Sequence, residues 1–191
     1  MNHKPKIMET QKINSTGIAL KWSLIYLVTT IVITYLFQFL NVDPESPVKY
    51  LSFLPFIAFL FLTQKEYRDL LGGYMNFGKG FTSGFLFAII SGVMVAVFIY
   101  LYFAILSPEM VEKSLTATQA KLSEKGLTQD QIDKALDITK KYFPVFGAIG
   151  SVIFSALMGV IVSLIGAAIF KKERSPFDVP DTEGQKSEPT V

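Results

Sequence analysis

The chain has 191 residues, of which 50% are hydrophobic and only 18% charged, and its mean hydropathy is +0.40. A soluble domain carries about 25% charged residues, whereas here whole stretches, Ile25 to Gln38 and Phe81 to Pro108, hold no Asp, Glu, Lys or Arg, the segregation that marks a membrane protein. The lack of cysteine excludes disulfides, thiolate ligands and a Cys nucleophile, the lone His3 leaves no His-centred site, and a dispersed net charge of +2 does not suit nucleic acid.

Residues 1–17 form a polar, basic tail with Lys4, Lys6 and Lys12 against Glu9, and the apolar run from Ile18 to Leu40 that follows is long enough to span a bilayer. The bulky residues Phe37 to Asn41 do not suit signal cleavage, so this is a retained first helix. Trp22, Tyr26 and Tyr35 fit either its headgroup ends or its packed face. Two prolines and two acids in Asn41 to Pro47 predict a tight exposed turn. A second span from Val48 to Thr63 is short for a crossing of roughly 20 residues and contains Pro55, which would kink it; a re-entrant segment is the rival reading.

Gln64 to Lys79 is mixed and polar, with a glycine-rich stretch from Gly72 to Gly78, and predicts a loop or an interrupted helix on the membrane surface. Gly78-Lys79-Gly80 lacks the preceding strand and the spacing of a P-loop. The third span, Phe81 to Leu106, and the fourth, Val145 to Phe170, each carry a four-residue row of small side chains. In the third the row is Gly80, Gly84, Ala88, Gly92 and Ala96; in the fourth it is Gly147, Ser151, Ser155, Gly159, Ser163 and Ala167. Such rows let helix backbones approach closely and follow an inclined ridge that suits a right-handed crossing, so these two helices are expected to form the packed centre.

Between them, residues 107–144 are too polar to span. Ser107-Pro108-Glu109 opens one helix, with Val111, Leu115, Thr118 and Leu122 on one face, and Gly126 closes it. Thr128 to Gln131 is a capping box that opens another, striped by Ile132, Leu136, Thr139 and Phe143 until Pro144 imposes a joint. The product is a charged helical hairpin outside the bilayer, with pairs such as Glu109 with Lys113 and Asp130 with Lys134 on a solvated face. Residues 171–191 start with a basic stop and continue as a disordered tail.

The architecture read from the chain is therefore all-α and polytopic: a tail 1–17, three transmembrane helices within 18–106, the hairpin 107–144, a fourth transmembrane helix 145–170, and the tail 171–191. Four spans put both termini on one side. With the 64–79 segment they carry 11 Lys and Arg against 7 opposite, so the positive-inside rule places the termini in the cytoplasm and the hairpin in the periplasm.

No ionisable residue falls at mid-membrane depth, where transport and intramembrane catalysis leave them. The polar residues there are Thr29, Thr30, Thr34, Gln38, Ser91, Ser151, Ser155 and Ser163, which suit bonds to their own helix or a neighbour. No serine sits in a Gly-x-Ser-x-Gly setting, and Asp130, Asp133 and Asp137 lack the loop glycine and spacing of a calcium site. No catalytic, cofactor-binding or metal-ligating residue emerges.

The four spans, the glycine-rich run Gly72 to Phe81 and the hairpin ending in Tyr142-Phe143-Pro144 resemble an uncharacterised bacterial membrane-protein family, domain of unknown function 4199, over about Thr16 to Phe170. The resemblance implies the cytoplasmic (inner) membrane of a Gram-negative bacterium, no assigned activity and no catalytic residues to carry over. It also implies genomic proximity to membrane glycosyltransferases and hence an accessory role. The chain is expected to be a non-enzymatic accessory or oligomerising subunit whose partners are membrane lipid, a membrane protein such as a glycosyltransferase, or a second copy. The alternative is a small carrier or channel for an amphipathic or lipid-like molecule, and a lipid-acting membrane enzyme comes third.

Overall fold

The computed structural model describes residues 14–42 and 46–173. The tail before Asn14, Asp43-Pro44-Glu45 of the first turn, and the tail from Arg174 onward, read above as disordered, lie outside the described residues. Among those residues the elements are α1 (Ser15–Phe39), a 3-10 segment (Pro47–Ser52), α2 (Phe53–Leu70), α3 (Phe77–Leu101), a π-helical turn (Tyr102–Leu106), α4 (Pro108–Glu124) and α5 (Gln129–Phe170). A bridge between extended residues joins Met75 to Lys172.

Among the described residues three segments are long and apolar enough to cross a membrane: α1, α3 with its π turn, and α5. The core is apolar, with Phe56, Leu60, Phe87 and Val162 buried, but burial differs from that of a water-soluble bundle in what accompanies it. Ser23, Thr63, Gln64, Ser83, Ser91 and Ser163 are fully buried, while Val28, Leu157 and Ile169 are about 60% exposed. Polar groups turned inward and aliphatic groups turned outward are what hydrocarbon surroundings select, because in lipid every polar group must find its partner within the protein.

The second hydrophobic segment is not the kinked span 48–63 of the sequence reading. It opens as a 3-10 segment, becomes α-helical at Phe53 and continues to Leu70. Pro55 lies in the first turn, where backbone N–H groups have no partner within the helix, so the missing donor breaks nothing. The last two turns carry Lys65, Glu66, Arg68 and Asp69, and this charge separates α2 from the three span-length apolar helices. Gln64 to Leu70 is thus helix, and the connection to α3 shrinks to Leu71–Asn76, where Gly72 and Gly73 take left-handed φ values of 80° and 85°. Asn76 caps α3, its side chain accepting from Lys79 N–H at 2.9 Å. The third helix therefore begins before Phe81.

Contacts fix the directions of the helices. Trp22 meets Phe59 and Tyr26 meets Phe56, so α1 and α2 are antiparallel. Ser23 donates to the Phe87 carbonyl and Tyr35 meets Tyr102, so α1 and α3 run the same way. At one end the connection before α3 is tied to the chain after α5, Met75 and Lys172 exchanging backbone hydrogen bonds of 2.9 Å.

A second correction concerns α5. The sequence predicts a joint at Pro144 between a hairpin and a span that starts at Val145; instead one helix of 42 residues runs through Pro144. The lost bond is compensated by support on both sides. Phe143 packs edge-on against Phe103 at 5.0 Å, and α4 lies along the preceding turns with Val111, Leu115 and Ile132 buried. Gln131 accepts from Thr128 N–H at 3.0 Å, one arm of the capping box. Ser107 precedes α4 without capping it through its side chain; its hydroxyl instead accepts from Gln38 at 3.4 Å. Lys134 pairs with Asp130 at 2.8 Å and Lys140 with Glu112 at 2.7 Å, all on exposed side chains. Glu112 holds the Lys140 ammonium above the ordinary lysine pKa, so on the alkaline side the pair persists past neutral pH and is lost as pH rises through that raised value. Exposed pairs of this kind contribute little, and apolar burial holds α4 in place.

Ile132→Ala should therefore loosen α4, costing on the order of 2 kcal/mol or more and speeding amide exchange across Pro108–Glu124. Lys140→Gln should leave that exchange unchanged. Equal acceleration by both substitutions would make the ion pair as much of a fastening as the apolar contact.

Candidate functional site

The densest packing joins α3 to α5, and both small-residue rows lie in it. A β-carbon on Gly80 would stand 3.2 Å from Ala167 Cα, and one on Gly92 would stand 2.8 Å from Ser155 Cβ. One on Gly84 would stand 2.7 Å from Ser163 Oγ, and one on Gly159 would collide with Ala88 Cβ. These contacts set an antiparallel register in which each step of four residues along α3 meets a step of four back along α5. Gly147 continues it towards Ile99 and Phe103 rather than a small partner. Ala96 and Ser151 stand on the same two faces, Ala96 8% exposed. The two rows thus face each other within one chain.

The residue that sequence reasoning missed is Gln64. It projects from α2 into the α3–α5 seam and is fully buried. Its Nε2 donates to the Gly80 carbonyl and to the Ser163 carbonyl, each at 3.0 Å. Room for it is made by two glycines. A β-carbon on Gly84 would lie 2.6 Å from Gln64 Nε2, and one on Gly166, which falls outside the four-residue row, would overlap Gln64 Oε1. One side chain thereby joins three helices. Gln64 Oε1 and Ser163 Oγ make no hydrogen bond with any described residue, a cost of burial that the two Nε2 bonds offset.

The other polar groups of the interior mostly bond to their own helices. Thr29 donates to Ile25, Thr30 to Tyr26, Thr34 to Thr30, Ser91 to Ala88 and Ser151 to Ala148. Gln38 reaches across, accepting from the Tyr102 hydroxyl at 3.3 Å and donating to Glu109 at 3.4 Å. At the opposite end Glu66 accepts from Lys21 Nζ at 2.6 Å and from Trp22 Nε1 at 2.7 Å, fastening α2 to α1. Above the start of α2 lies a cavity of about 230 Å³ bounded by α1, α2, α3 and α5.

A family model described as a protein of unknown function, DUF4199, matches residues 21–172. The chain belongs to this family. The match spans α1 from Lys21 to the bridge at Lys172, so it takes in the Lys21–Glu66 fastening, the Gln64 wedge and the whole of α5. No curated protein and no solved structure matches the chain.

The glycines differ in what surrounds them, and their substitutions should differ accordingly. Gly159→Ala drives a methyl group onto Ala88 and should cost about 1–3 kcal/mol. Gly150→Ala meets nothing within 4 Å and should leave stability unchanged or raise it by up to about 1 kcal/mol through helix propensity. Thermal unfolding of both variants in one detergent checks this, and equal effects would contradict the seam.

Proposed function

We propose that the chain is a four-span protein of the bacterial cytoplasmic membrane that acts as a non-enzymatic accessory or oligomerising subunit. The fourth crossing is the 3-10 segment together with α2. At 2.0 Å and 1.5 Å per residue these six and eighteen residues travel about 39 Å, against about 37 Å for α1. The antiparallel contacts of α2 with α1, Lys21–Glu66, Trp22–Phe59 and Tyr26–Phe56, run along the first half of α1. The basic excess on the side of the termini supports a cytoplasmic placement for them and a periplasmic one for α4 and the first turns of α5.

The observation that carries the subunit reading is the overrun of α5. Residues 129–142 lie beyond the Phe143–Phe103 contact and project about 21 Å past it with α4 laid alongside, so a partner held by this arm is coupled directly to the bundle core. Because the small-residue rows are occupied within the chain, association uses the arm or the outward aliphatic faces instead.

Topology is read from single cysteines placed in a chain that has none. Ser46→Cys and Ser123→Cys should react with an impermeant maleimide from one side of the membrane, and Asp69→Cys from the other. Labelling of Ser46→Cys and Asp69→Cys from the same side would remove the fourth span. Mild-detergent purification with mass spectrometry should recover a stoichiometric partner or further copies of the chain, and Asp133→Lys with Asp137→Lys should release it. A bare monomer would contradict the subunit role.

A further inference from the structure

The cavity above α2 has a structural cause. At the level of Ser52 and Phe53 the second segment changes from α to 3-10 helix, and a thinner, tighter winding fills less of the space between α1 and α5. The lining combines Thr30 and Thr34 of α1, Ser151 and Ser155 of α5, and aromatic rings that include Phe154. Phe154 is 42% exposed, so the cavity reaches the outward, aliphatic face of the bundle there.

The hydroxyls are committed in one direction. Thr30, Thr34 and Ser151 each donate to a carbonyl of their own helix, at 2.9, 2.8 and 2.7 Å. A hydroxyl has one proton and two lone pairs, so Thr34 and Ser151 can still offer acceptor capacity, as can Thr30 with the lone pair that its hydrogen bond with the cavity-lining Tyr26 side chain leaves over. Their complement is a hydrogen-bond donor. Among the described residues no Asp, Glu, Lys or Arg lines the cavity, and burying an ammonium without a carboxylate is far costlier than burying a neutral hydroxyl. A void of about 230 Å³ exceeds the roughly 150 Å³ that accommodates benzene and is too small for a whole lipid, so it suits a head of glycerol size with its chain outside.

We propose that this cavity binds the hydroxyl-bearing head of a neutral amphiphile, of the monoacylglycerol class, through acceptor contacts from Thr30, Thr34 and Ser151. The chain of the amphiphile leaves beside Phe154 into the surrounding lipid. This binding does not depend on the accessory role or on the arm.

The test titrates the full chain, purified in detergent, with 1-monooleoylglycerol, methyl oleate and free glycerol, following thermal stability and bound stoichiometry by native mass spectrometry. Monooleoylglycerol should bind saturably at one per chain, and methyl oleate, with the chain but no hydroxyl, should bind at least tenfold more weakly. Thr30→Val with Thr34→Val should weaken monooleoylglycerol roughly tenfold by removing two acceptors. If that pair lowers stability without any probe, Ser151→Ala supplies the same comparison from the opposite wall. Glycerol matching monooleoylglycerol would keep the hydroxyl chemistry and make a free polyol the source. Methyl oleate binding equally well, or neither hydroxyl probe binding, would overturn the proposal.

Discussion

Close contact between the backbones of α3 and α5 is the constraint from which the rest of the molecule follows. In hydrocarbon no hydrophobic force draws two helices together, so association depends on dispersion contacts and buried hydrogen bonds. Both are concentrated here. Small residues meet small residues from Gly80 and Ala167 to Gly92 and Ser155, and where the seam has most room, at Gly84 and Gly166, the amide of Gln64 fills it and bonds to both helices. That wedge seats α2, and Glu66, two residues further along, ties α2 back to α1 through Lys21 and Trp22. The order of dependence runs from seam to wedge to outer helices.

Much of this was legible in the sequence. The small rows were visible because a four-residue spacing survives any helix boundary error, and the long charge-free stretches identified α1, α3 and α5 by length. Gln64 was not legible, because a polar residue after an apolar run reads as the point where a helix leaves the membrane. The signal lay in the spacing of Phe56, Leu60, Thr63 and Gln64, which share one face of a helix and are all buried. Gly166 escaped for a related reason: it stands beside the regular row, and its partner is a side chain from a third helix rather than the facing row. Pro144 misled in the opposite direction. A lone proline is a strong break signal, yet its cost is local, of about 3 kcal/mol, and the aromatic contact at Phe103 together with α4 holds the helix continuous.

The interior also separates into two chemical regions. Near the chain ends the polar groups are bonded between helices, through Gln64, Glu66 and Trp22. Towards the arm Gln38 bonds across to Tyr102, Ser107 and Glu109, while the hydroxyls of Thr30, Thr34 and Ser151, bonded within their helices, line the cavity. The first region fixes the bundle, and the second leaves acceptors directed at a cavity. The bundle is therefore fastened between helices at both ends, by Gln64 and Glu66 at one and by Gln38 and the Phe143–Phe103 contact at the other, with the hydroxyl-lined cavity between them.

The register of the α3–α5 seam is the claim on which the account most depends, and a disulfide reads it directly in a chain without native cysteine. At Gly80 and Ala167 the β-carbons would stand 3.2 Å apart, close to the roughly 3.5–4.5 Å that a disulfide spans. The pair Gly80→Cys with Ala167→Cys should oxidise within one chain in native membranes, and Gly84→Cys with Ala167→Cys, one turn out of register, should not. Equal oxidation of both pairs, or a disulfide formed only between chains, would contradict the seam and with it the placement of α2.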